Sequence, residues 1–220
     1  RPKRDPDQSQ IRYQLGVEYY RGRRVEAAIE ELNKALAADP QNAEAHNMHG
    51  IIALKQGHDY LVQVESMACL KGNDAQSVRG DATRRFREAQ QHFQRAVESR
   101  PEFSEGWNNL AVAALQLQDW ELAITASRNA LKEATYSEPE VARANLGWAF
   151  FQKKDMQNAW KELHEAASRS PGFCVARFRL AKIYVERGDL DAAAEEVDSV
   201  INNKQCPIQD AFLLGGLVHE

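Results

Sequence analysis

Six small residues, Gly16, Gly50, Ala111, Gly147, Ala181 and Gly215, recur at intervals of 34, 61, 36, 34 and 34 residues, so that three of the five intervals are equal. A period of this length is that of a unit of two short helices and a turn, stacked on copies of itself. The stretch Ala144-Asn145-Leu146-Gly147-Trp148-Ala149-Phe150, followed by Ala159, Leu163, Ala166 and Pro171, shows why the spacing constrains the fold. Gly147 and Ala159 are small where two antiparallel helices must approach, Phe150 and Leu163 fill the remaining space, and Pro171 ends the second helix. One such hairpin cannot bury its apolar face alone, so neighbouring hairpins must cover it.

The other units follow in register. The first, residues 9–42, carries Leu15-Gly16, Tyr19, Ala28, Leu32, Ala35 and Pro40. The second, 43–103, opens with His49-Gly50 and Ala53, but Ala89, Phe93, Ala96 and Pro101 arrive 27 residues late, which predicts an insertion at about 58–84. Val78, Ala82, Phe86, Ala89, Phe93 and Ala96 step by three or four, so the second helix is predicted to reach back to about Asp74. From Asp59 to Lys71 the pattern fits a short helix and a crossing strand equally, because Tyr60, Val62 and Val64 alternate while Leu61, Val64 and Ala68 have helical spacing. Units three, four and five span 104–137, 140–173 and 174–207; the third lacks its closing proline, and Pro139 comes late. Residues 208–220 hold only the first helix of a sixth unit, which suggests truncation, and Arg1 to Asp7 reads as a linker over residues 1–8, the expected remnant of a longer processed precursor. Residues 9–220 are then a single domain.

These residues resemble the tetratricopeptide repeat. The expected fold is an all-α, right-handed superhelical tetratricopeptide-repeat (TPR) solenoid of about five and a half helical hairpins, with the insertion in the second.

The repeat specifies a binding scaffold rather than a catalyst. The chain lacks a Gly-rich phosphate loop, a Gly-x-Ser-x-Gly elbow and a Cys-x2-Cys pair, and no cofactor is expected. A net charge of -4 gives no basic footprint for nucleic acid. No apolar run approaches the roughly 20 residues that span a bilayer, so membrane attachment is expected only through a lipid anchor outside these residues.

An array of this kind binds partners along the first helix of each hairpin. The positions expected to face that groove include Asn47, Asn108, Asn109, Asn145, Trp148, Arg179 and Lys182. Asn109 and Asn145 share a register position, and amides there can donate to and accept from an extended peptide backbone. Trp148 could anchor an apolar group. The competing reading is that the asparagines satisfy neighbouring groups and Trp148 packs internally. Arg179 and Lys182 are the only cations together in the groove, too few for a clamp on a terminal carboxylate, so an extended or helical partner segment is the expected ligand. His46 and His49 lie three apart and could approach one metal, but no third ligand matches them, so core packing is expected and no metal. Glu30-Glu31 and Glu195-Glu196 are expected on solvated faces of second helices.

Cys174 opens the first helix of the fifth unit and Cys206 follows its second, so an antiparallel hairpin brings both to one side. A disulfide there would close a loop of about 30 residues and stabilise by roughly 3 to 4 kcal/mol, given a Cα separation below about 7 Å. Two separate buried thiols are the alternative, and Cys69 is expected to be a lone buried thiol. A bridge would imply an oxidising compartment.

Several stretches together resemble one family, the lipoprotein pilotins of bacterial type IV pili. They are Tyr136-Ser137-Glu138-Pro139-Glu140-Val141-Ala142-Arg143-Ala144-Asn145-Leu146-Gly147-Trp148-Ala149, Pro171-Gly172-Phe173-Cys174-Val175 and Cys206-Pro207-Ile208-Gln209. The resemblance implies a lipoprotein on the periplasmic face of the outer membrane that promotes assembly or localisation of the secretin ring, with secretin subunits as partners. A generic TPR peptide-binding adaptor in another envelope or cytoplasmic complex is the alternative.

Overall fold

The computed structural model describes residues 4–66, 72–206 and 208–218. Among them there are eleven helices: α1 (Pro6–Arg21), α2 (Val25–Ala38), α3 (Ala43–Ser66), α4 (Gly72–Ser99), α5 (Ser104–Gln116), α6 (Trp120–Ala130), α7 (Pro139–Gln152), α8 (Met156–Arg169), α9 (Cys174–Arg187), α10 (Leu190–Ile201) and α11 (Gln209–Val218). They form two compact units, residues 1–119 and residues 120–220.

In the first unit α1 begins inside the stretch predicted as linker. Asp5 accepts from the Gln8 N–H at 2.9 Å and Pro6 takes the first helical turn, where a missing N–H costs nothing. Arg4 forks onto Asp39 with contacts of 2.7 and 2.9 Å, tying this end to the close of α2. Ser9 donates to the Ala35 carbonyl and accepts from Asn42 Nδ2, and Asn42 Oδ1 caps α3 at the Ala45 N–H. Leu32 fills the space left at Gly16, where an added Cβ would lie 3.1 Å from Leu32 Cγ.

The insertion is helical throughout its described residues. Residues 59–66 continue α3 rather than forming a separate helix or a strand, and α4 reaches back to Gly72. Two contacts hold the long hairpin. Gly50 faces Phe93 and Gly57 faces Phe86, with an added Cβ falling 2.5 Å from Phe93 Cε1 and 2.7 Å from Phe86 Cδ1. The second contact repeats the first one heptad further out, as antiparallel helices packed along a shared seam require. Val64, Ala75 and Ala82 extend the apolar seam towards the tip. Cys69 lies outside the described residues.

The turns explain what the insertion replaced. Seven residues beyond each small residue the chain turns in a left-handed conformation: Arg23 (φ 58°), Gln118 (φ 60°), Lys154 (φ 63°) and Gly188 (φ 76°). The corresponding residue of the second hairpin is Gly57, which stays helical and packs on Phe86 instead.

In the second unit Pro139 is not a late terminator. It occupies the start of α7. Leu163 fills the space at Gly147, where an added Cβ would stand 2.7 Å from Leu163 Cγ and 3.1 Å from the Ala159 carbonyl. Asp155 and Asp189 cap α8 and α10 through the N–H groups of Asn158 and Ala192. α11 rests on α10 through Gly215, against Ile201 and Val197, while Phe212 and Leu213 face outward. Cys174 and Cys206 are bridged, with Cα atoms 5.7 Å apart, which resolves the two sequence alternatives in favour of the disulfide. No helix among the described residues is long and apolar enough to cross a membrane.

Candidate functional site

Each unit presents adjoining first helices: α1, α3 and α5 in one, α7 and α9 in the other. The predicted amide positions divide into two groups. Asn47 on α3 and Asn109 on α5 are half-buried and meet directly, Asn109 Nδ2 donating to Asn47 Oδ1 at 2.9 Å. Asn108 and Asn145 are buried at 7% and 6% exposure, too covered to meet a partner backbone through their side chains. Asn145 instead braces a neighbouring helix, its Oδ1 accepting from Arg179 of α9.

The side chains that remain accessible on the second unit are Trp148, Arg179 and Lys182, all half-buried. Trp148 stacks on Phe151, with ring centroids 4.9 Å apart and planes 17° from parallel. Arg179 crosses from α9 to α7 and donates through Nη1 to the Ala144 carbonyl at 2.9 Å and to Asn145 Oδ1 at 3.3 Å. Its guanidinium carbon is 5.3 Å from the Trp148 ring centre, and the Lys182 ammonium is 5.7 Å from that ring and 4.6 Å from Phe178. Loss of hydration pushes the Arg179 guanidinium down to about 10, which leaves it charged at neutral pH.

A second pattern was not recognised in the sequence. Four residues before the small residue stands a basic side chain, and nineteen residues further on stands a glutamate: Arg12 meets Glu31 at 2.9 Å, Arg143 meets Glu162 at 2.7 Å and Arg177 meets Glu196 at 2.8 Å. These pairs link the two helices of a hairpin. They correct the expectation that Glu31 and Glu196 sit on solvated faces; Glu31 is 6% exposed, and its carboxyl is held below the usual range by Lys34 and then Arg12. The legible signal was Arg-x18-Glu recurring four residues before Gly16, Gly147 and Ala181.

In the long hairpin the same two positions, displaced by the insertion, are His46 and His92. Their Nδ1 atoms lie 3.1 Å apart, a hydrogen bond in place of an ion pair. His46 Nε2 pairs with the Pro40 carbonyl and His49 Nε2 with Asn33 Oδ1. Burial first, then neighbouring imidazoles, lowers the His92 proton affinity to about 3, and burial also lowers His46 and His49. His49, Glu88 and His92 place ligand atoms within 4.8 Å of one another, so the structure supplies the neighbours that sequence spacing did not. The geometry is that of packing. His49 and His92 stack 4.2 Å apart with planes 4° from parallel, whereas an ion must lie in the plane of each ring, and Arg85 already takes Glu88 at 2.7 Å.

Stacked helical hairpins with small residues at the close approaches, and adjoining first helices within each unit, define a class of protein-binding scaffolds. The chain is a tetratricopeptide-repeat protein: family models of the tetratricopeptide repeat match residues 16–57, 81–138 and 150–207. Residues 58–80 lie between two of the matched spans. No curated protein sequence matches the chain. Solved structures show the fold over nearly its whole length. PilW, described as a widely conserved type IV pilus biogenesis factor, is 23% identical with a TM-score of 0.73, over 97% of this chain and 86% of its own. PilF of Pseudomonas aeruginosa is 19% identical with a TM-score of 0.71, over 96% and 83%. YrrB, a TPR protein described as having an unusual peptide-binding site, is 17% identical with a TM-score of 0.66, over 98% and 92%.

Proposed function

We propose that this chain is a non-catalytic scaffold that promotes assembly or localisation of the type IV pilus outer-membrane secretin, acting on secretin subunits from the periplasmic face of the outer membrane, where a lipid-anchored precursor would hold it. The supporting observation is the Cys174–Cys206 bridge within a TPR fold like those of PilW and PilF. A disulfide of this kind persists in an oxidising compartment, and the periplasm is one. The sequence stretches that resemble pilotins point the same way. Partner contact falls to Trp148, Arg179 and Lys182, with Asn47 and Asn109 as a second accessible patch.

The decisive measurement is whether a strain lacking the protein still forms heat-resistant secretin multimers. Their loss is expected, and normal multimers defeat the proposal. Trp148→Ala is expected to weaken capture of secretin from envelope extract without loss of helicity, because the ring is only half-buried. A generic peptide adaptor is the second reading, favoured by the likeness to YrrB, and capture of a different envelope protein in the same experiment would select it.

A further inference from the structure

One set of basic residues on the first helices, recurring at a fixed register position, is paired across its hairpin, and Arg179 and Lys182 lie outside that set. Arg12, Arg143 and Arg177 each point towards the second helix of their hairpin and meet a glutamate there. Arg179 and Lys182 lie on the other side of α9 and form no ion pair among the described residues. Arg179 is held by two neutral oxygens through a single nitrogen, and its other nitrogens have no hydrogen-bond partner among the described residues. A guanidinium carries five N–H donors in a fork suited to a carboxylate. Lys182 completes a second side of the same space, 4.6 Å from Phe178 and 5.7 Å from Trp148.

Two partly dehydrated cations beside aromatic rings, on a chain whose net charge is -4, make a local positive site on an acidic protein. Such a site gains from a carboxylate more than an exposed pair would, because much of the cost of removing the guanidinium from water is already incurred in the free protein. Trp148 and Phe178 give the site apolar walls. We propose that the α7–α9 face binds an extended partner segment in which acidic and aliphatic residues stand two apart, a side-chain carboxylate lying between Arg179 and Lys182 and the aliphatic side chains along Phe178 and Trp148. This deepens the scaffold reading and rests on it for the place of the groove. The spacing of two follows from the extended backbone, which turns successive side chains to opposite sides and every second one to the same side.

The test uses the whole chain and fluorescein-labelled peptides. One repeats Asp-Ser-Leu-Ser, which sets Asp and Leu on one side of an extended backbone, and is amidated at its C-terminus; the second replaces each Asp by Asn; the third is the Asn peptide with a free terminal carboxylate. Fluorescence anisotropy is expected to show the Asp peptide binding at least about tenfold more tightly than the amidated Asn peptide. The preference is expected to weaken with salt and to vanish in Arg179→Gln and in Lys182→Gln. Lys182→Gln serves as the variant least able to disturb folding, since Lys182 makes no hydrogen bond within the described residues. Equal affinity for the Asp and Asn peptides overturns the proposal, and so does preference for the free terminus, which would mark a terminal-carboxylate clamp. Secretin capture by wild type and Lys182→Gln separates the two readings. Equal capture by both, with no preference for Asp, sinks this inference alone. An Asp preference without any secretin capture sinks the pilus reading and leaves the acidic-segment site standing.

Discussion

Gly57→Ala tests the account of the long hairpin most directly, with Gly80→Ala as its control. Both glycines are helical, Gly57 on α3 and Gly80 on α4, so each substitution gains about 0.5 to 1 kcal/mol from the better helix former. Their surroundings differ. A Cβ at Gly80 meets nothing within 4 Å, whereas one at Gly57 falls 2.7 Å from Phe86 Cδ1, with Cε1 nearer still, against an ordinary contact of 3.4–4 Å. Phe86 is only 3% exposed, so its ring cannot swing into solvent to make room. Overpacking of that kind costs about 1 to 3 kcal/mol. Because the propensity gain is common to both variants, the difference between them isolates the packing contribution, and Gly57→Ala is expected to be less stable than Gly80→Ala by about 1 to 3 kcal/mol. Urea unfolding followed by far-UV circular dichroism reads this as a shift in midpoint at unchanged slope. Adding Phe86→Leu to Gly57→Ala is expected to recover part of the loss, since a leucine already packs closely opposite a small residue where Leu32 faces Gly16 and Leu163 faces Gly147. Equal stabilisation by both alanines would refute the heptad repetition of the Gly–Phe contact.

The histidine cluster sets a pH dependence of known sign. His46, His49 and His92 are kept neutral in the folded chain and protonate near 6.5 when it unfolds, so stability is complete above that value and falls as the pH drops below it, by up to about 1.4 kcal/mol per pH unit for each imidazole. His46→Arg with His92→Glu, which writes the ion pair of the other hairpins into this one, is expected to flatten that loss; thermal melts below about pH 6 that stay as steep would count against the correspondence. Reducing the Cys174–Cys206 bridge, or replacing both cysteines by serine, is expected to cost about 2 to 4 kcal/mol in the second unit and to slow migration on a denaturing gel, and identical melting with and without reductant would contradict it. A double-mutant cycle on Arg143→Leu and Glu162→Leu is expected to return a coupling of about 1 to 2 kcal/mol, since both side chains are largely covered, and an additive cycle would reduce the pair to a surface contact.

Period, small-residue register and apolar spacing were enough to determine the helical hairpins and their packing contacts, because these depend on neighbours at short, repeated separations. Gly16 with Leu32 and Gly147 with Leu163 were both legible in this way. So was the Cys174–Cys206 approach, which follows from an antiparallel hairpin bringing its two ends together. The tertiary structure alone decided which groove residues remain accessible. A register position says which helix face a side chain leaves from, but not whether the next helix covers it, and so Asn108 and Asn145 became buried while Trp148, Arg179 and Lys182 stayed half-exposed. It also decided the fate of Gly57. Its place seven residues after Gly50 marks a turn in the other hairpins, yet Phe86 lies opposite across 29 residues of chain, and a helix that finds such a partner continues. The same long separation hid the pairing of His46 with His92, because the insertion moved a recurrent contact out of the interval at which the other three repeat.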